Sequence, residues 1–181
     1  IIVQSGPILN FSVNEVFGCD SLIISISDSS LNTNNYLYDF GDGSTSSVQN
    51  PNHTYSNPGI YTITLVGEDS TGCQQTLNFS DTIKIDIKPV INFLVSDSNL
   101  CLNSSFTLNN NSLNTSYHQW TYASQTYNDI SPTIIANLIG SNPLQYIAGN
   151  SNNTCFDTSI INIIGHLIPD VSILDPGILC S

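Results

Sequence analysis

The residues best suited to chemistry lie together in the segment YDFGDGSTSSVQNPNHTY, at positions 38–55. Asp39 and Asp42 could form a carboxylate pair for general acid and base catalysis, and His53 could act as a general base. The two carboxylates, however, stand on either side of a tight turn, where such groups more often accept hydrogen bonds from backbone N–H groups. No nucleophile motif such as G-x-S-x-G accompanies His53, so we expect a loop histidine that bonds the adjacent turn.

Metal binding is the other chemistry that these side chains allow. Carboxylates and loop carbonyls suit calcium, which makes Asp39 and Asp42 the candidate ligands, but D-x-x-D-G lacks the alternating ligands of a D-x-[DN]-x-[DN]-G calcium loop. Zinc is disfavoured because the chain has no C-x-x-C pair, and because none of His53, His118 and His166 stands at ligand spacing from a cysteine. We therefore predict no catalytic site and no metal or other cofactor, and a structural role for the motif.

Composition restricts the partners of the chain. The 181 residues carry a formal charge of −12, with Lys84 and Lys88 as the only basic side chains apart from histidine, so nucleic acid would be repelled. The longest apolar run, IINIIGHLI at 160–168, is too short to cross a bilayer and contains Asn and His. A polar surface built from Asn, Ser and Thr is typical of an extracellular all-β protein. We expect neither nucleic-acid binding nor membrane insertion of this segment.

The cysteines divide the chain into repeats. Cys19 and Cys73 are 54 residues apart, as are Cys101 and Cys155, and Cys180 follows Cys101 by 79 residues. This spacing indicates a tandem array of units of about 80 residues. Each first cysteine is preceded by a proline, namely Pro7, Pro89 and Pro169. The predicted boundaries are a tail strand of a preceding repeat at 1–6, a first unit at 7–88, a second at 89–168 and the start of a third at 169–181.

The repeated spacing leads us to expect one disulfide within each unit. Cys19 would pair with Cys73 and Cys101 with Cys155, while Cys180 belongs to the third unit. Each bridge would stabilise its unit by about 4 kcal/mol in the chain-entropy model. Structural disulfides also predict an oxidising compartment.

Alternating apolar and polar residues predict strands rather than helices. They occur in LIISIS at 22–27, YTITLV at 61–66, TIKIDIK at 82–88 and SFTLNN at 105–110. In the third of these, Ile83, Ile85 and Ile87 share one face, which we expect to be packed. The fold class is all-β, with a sandwich of two antiparallel sheets per unit.

The motif itself predicts a hairpin and a core. Tyr38 and Phe40 alternate with Asp39 and should point together into the core, whereas Asp42-Gly43 is a turn signal. Pro58-Gly59 should form a second turn, after which Tyr61 caps the core at a sheet corner. Trp120 stands 19 residues after Cys101, as Tyr38 stands 19 after Cys19, so we expect it to be buried.

These residues closely resemble the PKD domain, an immunoglobulin-like β-sandwich. The resemblance covers 7–88 and consists of an aromatic followed by DFGDG at 39–43, P-x-H-x-Y at 51–55 and PG-x-Y-x-I-x-L at 58–65. The second unit resembles a degenerate sibling, because TYASQ at 121–125 replaces DFGDG and no His-x-Tyr follows. The structural motif residues that this implies are Tyr38, Asp39, Phe40, Gly41, Asp42, Gly43, His53, Tyr55, Pro58, Gly59, Tyr61 and Trp120.

Arrays of such Asn-, Ser- and Thr-rich units are similar to the shafts of giant cell-surface adhesins of Bacteroidetes, including those of gliding motility. That resemblance implies a non-catalytic spacer or stalk at the cell surface, exported by a signal outside this sequence, which presents a distal adhesive region. The partners would be neighbouring repeats, and surface polysaccharide or other cell-surface proteins. The alternative is an accessory PKD module of a secreted hydrolase such as a chitinase or protease, or a carbohydrate- or protein-binding module.

Overall fold

The structure, a computed structural model, describes residues 6–168, and the chain divides into two compact units between Lys88 and Pro89. Unit 1 and unit 2 below denote the described residues on either side of that point. Two predicted segments lie outside the described residues. They are the tail strand expected at 1–6, of which only Gly6 is described, and the third unit expected at 169–181, with Pro169 and Cys180. Within residues 6–168, we find no helix that is long and apolar enough to span a membrane.

Unit 1 contains ten short strands. They are β1 (Phe11–Val13), β2 (Phe17–Cys19), β3 (Leu22–Asp28), β4 (Asn35–Asp39), β5 (Thr45–Ser46), β6 (Asn52–Tyr55), β7 (Gly59–Tyr61), β8 (Thr64–Glu68), β9 (Gln74–Asn78) and β10 (Ile83–Asp86). They form sheets in the orders β1-β3-β6, β2-β10-β7 and β5-β4-β8-β9. All pairs are antiparallel except β2 with β10, which is parallel.

The core of unit 1 lies between the β1-β3-β6 sheet and the strands opposite it. Alternation along β3 buries Ile24 and Ile26, and alternation along β10 buries Ile83 and Ile85. The buried cluster as a whole comprises Phe11, Ile24, Ile26, Tyr38, Phe40, Tyr55, Ile63, Leu65, Ile83 and Ile85. Aromatic rings from three different strands therefore fill the centre of the sandwich.

Unit 2 repeats this layout with fewer strands, the last two of which have 10 and 11 residues. They are β11 (Phe93–Val95), β12 (Asn99–Cys101), β13 (Ser105–Asn110), β14 (Tyr117–Tyr122), β15 (Gln125–Tyr127), β16 (Thr133–Ile135), β17 (Gly140–Gly149) and β18 (Phe156–His166). One sheet has the order β11-β13-β16 and the other β12-β18-β17-β14-β15, in which β12 and β18 are parallel. The core includes Phe106, Trp120, Tyr122 and Tyr146.

The all-β prediction and the immunoglobulin-like sandwiches are confirmed, with two differences in detail. The strand expected at 61–66 is interrupted at Thr62 and Ile63, where the chain leaves the sheet of β10 and joins that of β4. Ile87 is 47% exposed, because the burying alternation ends with β10 at Asp86. Strands β3 and β13 occupy the segments in which they were predicted.

The disulfide pairing expected from the sequence is wrong. Cys73 and Cys101 are free, whereas Cys19 and Cys155 are disulfide-bonded. The reason is visible in unit 2, where Cys155 directly precedes β18 and Cys101 lies beside His166, the last residue of that strand. The 11 extended residues of β18 span roughly 35 Å, whereas a disulfide needs Cα atoms within about 7 Å. The 54-residue spacing therefore marks equivalent places in the fold and not bonding partners.

Candidate functional site

The motif residues of unit 1 meet at one aromatic cluster. The Phe40 ring stacks on His53 of β6 with centroids 4.0 Å apart, and His53 meets Tyr55 edge-on at 4.6 Å. Tyr55 in turn stacks on Tyr61 of β7 at 4.5 Å. Pairing of Leu22 of β3 with Tyr55 holds the edge of this cluster in register. The chain thus brings together rings from the segments on which the resemblance rested.

Both motif carboxylates hold the turn that follows β4. Oδ1 of Asp39 accepts a hydrogen bond from the Gly41 N–H at 2.8 Å, and Oδ1 of Asp42 accepts one from the Ser44 N–H at 2.9 Å. Oδ2 of Asp42 lies 2.9 Å from Nε2 of His53. His53 therefore bonds the turn as expected, although it lies on β6 and not in a loop.

The pKa of Asp42 is lowered by these contacts. Partial burial works to raise the pKa of this carboxyl, but hydrogen bonds from the Ser44 backbone and from His53 outweigh burial, so the pKa lies below its ordinary value. Asp42 is consequently a carboxylate at neutral pH, which makes it an acceptor for the turn and a poor general acid.

Gly41 and Gly43 in this turn are under different structural constraints. Gly41 and Gly43 both have positive φ, of 79° and 92°. A Cβ on Gly41 would also lie 2.7 Å from the Thr62 carbonyl oxygen, whereas one on Gly43 would meet nothing within 4 Å. Gly41 is thus required by close approach as well as by conformation.

The tyrosine hydroxyls of the motif donate hydrogen bonds to backbone carbonyls or to a neighbouring carboxylate. Tyr55 donates to the Phe40 carbonyl at 2.9 Å, and Tyr61 donates to the Asn57 carbonyl at 2.9 Å. Tyr38 donates to Oδ2 of Asp28 at 2.8 Å. Burial above all raises the pKa of Tyr38 and of Tyr55 well beyond the ordinary value, so both remain neutral donors.

Unit 2 builds its centre from different side chains. Trp120 is fully buried, stacks on Tyr146 with centroids 3.8 Å apart and donates from Nε1 to the Asp129 carbonyl at 3.0 Å. Trp120 is thus buried as its spacing from Cys101 predicts, which equals the spacing of Tyr38 from Cys19. The hydroxyl of Tyr122, two residues on, is buried without a hydrogen-bond partner among the described residues.

A polar network around His118 was not foreseen, because its members are distant in sequence. Nδ1 of His118 lies 2.7 Å from the Tyr146 hydroxyl, and the Asn110 side-chain amide donates to that hydroxyl at 2.9 Å. The same amide nitrogen lies 3.2 Å from Nδ1, and since an amide nitrogen only donates, Nδ1 acts as an acceptor. Burial lowers the pKa of His118. The neutral ring is therefore the form that fits this network.

A second polar group that sequence reasoning missed precedes each second cysteine. The buried carboxylate of Asp69 accepts hydrogen bonds from the Thr71 hydroxyl at 2.7 Å and from the Cys73 N–H at 3.0 Å, and the former above all lowers its pKa. In unit 2, Oδ1 of Asn150 accepts from the Thr154 and Cys155 N–H groups in the same way. A short polar side chain four or five residues before a cysteine is the signal that would have found this loop.

The arrangement of the motif residues supports a scaffolding role. Asp39, Asp42 and the tyrosine hydroxyls have backbone or neighbouring side-chain partners, as given above. In residues 6–168 there is no group of three or more His, Cys, Asp or Glu side chains placed to hold a metal ion. The polar side chains of the motif therefore stabilise the fold of unit 1.

Comparisons with known proteins find similarity to PKD domains and to proteins that contain them. Residues 7–85 match the model of the PKD domain family. Collagenase ColA of Bacillus cereus is 43% identical over 51 residues, which is 28% of this chain and only 5% of the collagenase. Among solved structures, the PKD1 domain of Vibrio anguillarum Epp is 27% identical, with 47% of this chain and 99% of that domain covered and a TM-score of 0.41.

The PKD1 domain of the Vibrio cholerae metalloprotease PrtV is 30% identical. It covers 45% of this chain and 99% of its own length, with a TM-score of 0.39. The sequence match to the PKD domain thus covers most of unit 1. Unit 2 repeats the layout of strands with a different set of core aromatics.

Proposed function

We propose that this chain is a non-catalytic spacer segment of an extracellular, cell-surface protein, in which consecutive units hold a distal binding region away from the envelope. The observation that carries the proposal is the position of the chain at the two ends of each unit. In unit 2 the chain comes in at Val90, which bridges to Leu113, and it leaves at His166 after the full length of β18. Entry and exit at opposite ends are what a unit needs to be strung in series.

Unit 1 has the same property. Gly6 lies beside Cys73 at the start of β9, because a Cβ on Gly6 would lie 4.0 Å from that of Cys73. The chain leaves after Asp86, at the far end of β10. Each unit therefore has an amino end, where the chain comes in, and a carboxyl end, where it leaves.

A second candidate is an accessory module of a secreted hydrolase. The matches to a collagenase and to a PKD1 domain of a metalloprotease favour it. In that role the units would connect a catalytic domain with other modules or would contact its substrate. The adhesin shaft and the accessory module share the same non-catalytic fold, so they differ in what the units bind.

Small-angle scattering and binding assays separate these functions. For a spacer, we expect the maximum dimension to grow linearly when a second copy of the 181-residue chain is fused in tandem. A maximum dimension that grows only as the cube root of mass would contradict the spacer. Sedimentation with insoluble collagen and with chitin tests the second candidate: retention of the chain on either polymer would favour the accessory module, and a spacer stays in the supernatant.

A further inference from the structure

A cleft opens on one side of unit 2, between β11 and β18. Its volume is about 230 Å³, and its walls combine hydrophobic side chains with polar ones. The residues that line it are Ile91, Asn92, Phe93, Val95, Ser159 and Ile161. Phe93 and Val95 belong to β11, an edge strand of its sheet, and Ser159 and Ile161 belong to β18 of the other sheet. The cleft therefore lies between the two sheets of the unit, at their open side.

Unit 1 fills the corresponding place with a ring of its own chain. Phe11 precedes Cys19 by eight residues, as Phe93 precedes Cys101, and both phenylalanines begin the first strand of their unit. The Phe79 ring stacks on Phe11 with centroids 5.2 Å apart, and Phe11 is buried. An aromatic pair thus closes this side of the sandwich in unit 1.

The two phenylalanines have equivalent neighbours in the core. Phe11 meets Tyr38 edge-on with centroids 5.6 Å apart, and Phe93 meets Trp120 edge-on at 4.9 Å. Phe93 is nevertheless only partly buried, whereas Phe11 is 7% exposed. The difference arises at the face of the ring that Phe79 covers in unit 1.

Unit 2 carries a smaller side chain where unit 1 carries Phe79. Phe79 follows Cys73 by six residues, and the residue six after Cys155 is Ile161. An isoleucine has no ring with which to stack on Phe93. The cleft beside Phe93 therefore corresponds to the space that the Phe79 ring occupies in unit 1.

A free strand edge runs along the cleft. β18 pairs with β17 along nearly its whole length, but β12 pairs only with its last three residues. Among residues 6–168, no strand pairs with the other side of 156–163. The Ile164 N–H donates to the Ser98 carbonyl on the side of β12, and backbone N–H groups alternate in direction along a strand. The earlier N–H groups that point to this side are those of Thr158, Ile160 and Asn162.

We propose that this side of unit 2 binds an extended peptide segment of a partner protein, which pairs with the free edge of β18 and inserts one aromatic side chain beside Phe93. Main-chain hydrogen bonds along an added strand supply affinity, and a pocket for one side chain supplies specificity. Unit 1 identifies that side chain, because its own Phe79 covers Phe11 at the corresponding place. The inference does not depend on the spacer role.

Size and charge define the occupant further. An apolar cavity of roughly 150 Å³ holds benzene, so the cleft of about 230 Å³ has room for a phenyl or phenol ring. The chain carries a formal charge of −12, and residues 89–168 contain no Lys or Arg, which disfavours an acidic segment. The partner segment is therefore a neutral or basic strand with a Phe or Tyr side chain.

Peptide titration of the 181-residue chain tests this site. The probe is the capped peptide QQTLNFS, the uncharged sequence of residues 74–80 with its phenylalanine. We expect saturable shifts of the amide NMR signals of β11 and β18, and slower hydrogen exchange at Thr158, Ile160 and Asn162. The same peptide with Phe replaced by Ala should bind at least about tenfold more weakly. Absence of saturable shifts, or equal affinity of the two peptides, would overturn the proposal.

Substitutions on β18 locate the binding site. I161F introduces the residue of unit 1 into the cleft, so the affinity for QQTLNFS should fall at least about tenfold. The matched control is I160F, which adds the same ring at a side chain that is 60% exposed on the opposite face, and which should bind like the wild type. T158P removes one edge donor at a position where a strand tolerates proline, and should also weaken binding.

Trp120 fluorescence in urea checks that unit 2 is folded in each variant. Unchanged affinity in I161F, or a loss in I160F that equals the loss in I161F, would show that the peptide binds elsewhere. Unchanged affinity in a folded T158P would contradict pairing with the edge of β18.

Two further measurements separate the peptide from other occupants. N-acetylphenylalanine amide should bind much more weakly than QQTLNFS, because it cannot pair along the strand; equal affinity would refute strand addition. Sedimentation velocity should find the chain monomeric at all concentrations. Self-association of the wild type that is lost in I161F would assign the cleft to a second copy of the chain and would overturn the proposal.

Discussion

Tyr55 and Tyr61 stack on each other, but their hydroxyl groups differ in how much their loss should cost. The Tyr55 hydroxyl donates to the Phe40 carbonyl inside the core, whereas that of Tyr61 donates to Asn57 at the surface. Y55F leaves a buried carbonyl without its donor and should lower the free energy of unfolding of unit 1 by about 1–3 kcal/mol. Y61F should change it by less than about 0.5 kcal/mol.

Urea unfolding followed by the amide NMR signals of unit 1 measures both variants. The lone tryptophan of the chain, Trp120, lies in unit 2, so its fluorescence is the internal control and should be unchanged. An equal decrease in the free energy of unfolding in Y55F and Y61F would show that the buried hydrogen bond stabilises unit 1 no more than the exposed one.

His118 should make the stability of unit 2 depend on pH. Burial lowers its pKa below the ordinary 6.5, so the unfolded chain binds this proton more readily than the folded one. Its contribution is fully present above pH 6.5 and is lost as pH falls through the folded-state value. We expect the urea midpoint of Trp120 fluorescence to fall on acidification through this range.

Substitution identifies the responsible histidine. H118Q should flatten the pH dependence of the midpoint between neutral pH and the range in which carboxylates titrate, while H166Q, which alters an exposed histidine bonded to Asn99, should not. An unchanged slope in H118Q would assign the pH dependence to another group. The lowered pKa of Asp42 acts separately, because its contribution is lost only as pH falls below 3.8.

Among the elements, the β14–β15 hairpin carries backbone strain that the turn after β4 in unit 1 avoids. Its two-residue turn consists of Ala123 and Ser124 with φ of 51° and 63°, whereas the positive-φ residues in the turn after β4 of unit 1 are Gly41 and Gly43. Left-handed backbone costs a non-glycine residue roughly 1–2 kcal/mol, and Asn-Gly is the preferred sequence for such a turn. The double variant A123N/S124G should therefore stabilise unit 2 by about 1 kcal/mol.

Trp120 fluorescence in urea measures this gain directly, because Trp120 lies in β14 opposite Tyr127. The matched control is G41A/G43A in unit 1, which imposes the strained turn on the other unit and should destabilise it. Gly41 should contribute more of that loss than Gly43, since only Gly41 lacks room for a Cβ. A destabilised A123N/S124G would mean that these side chains have a packing role that outweighs the strain.

Sequence periodicity predicted strands well where one face of the strand is buried and the other is exposed. β3 and β13 were predicted in this way, because one face of each meets the core. Burial of Trp120 was predicted because its spacing from Cys101 equals that of Tyr38 from Cys19. The interruption at Thr62 was not predictable, because a change of sheet leaves the alternation of side chains intact. The His118 network was equally hidden, since its members come from three strands that only tertiary packing brings together.

At the scale of the whole molecule, the cysteines illustrate why spacing does not give connectivity. A repeat places equivalent residues at equal intervals whether or not they bond to each other. Whether two cysteines of one unit can bond depends on the ends of the unit that they occupy, and these depend on strand directions. β18 decides the question, because one continuous strand separates Cys155 from Cys101.

The state of the cysteines predicts how the chain responds to a thiol reagent. Cys73 and Cys101 are free and exposed, so a maleimide should label both in the folded chain without reductant. Cys19 and Cys155 are disulfide-bonded and should stay unlabelled until reductant is added. Peptide mapping of the labelled chain measures the extent of labelling at each of the four positions.

The double variant C73S/C101S is the matched control for this labelling. It should lose the label at those two positions without reductant, and the label at Cys19 and Cys155 should appear only after reduction. Protection of Cys73 and Cys101 in the unreduced wild type would instead favour the within-unit pairs that the 54-residue spacing predicts. The strand β18 argues against that outcome, because its 11 extended residues hold Cys155 and Cys101 apart.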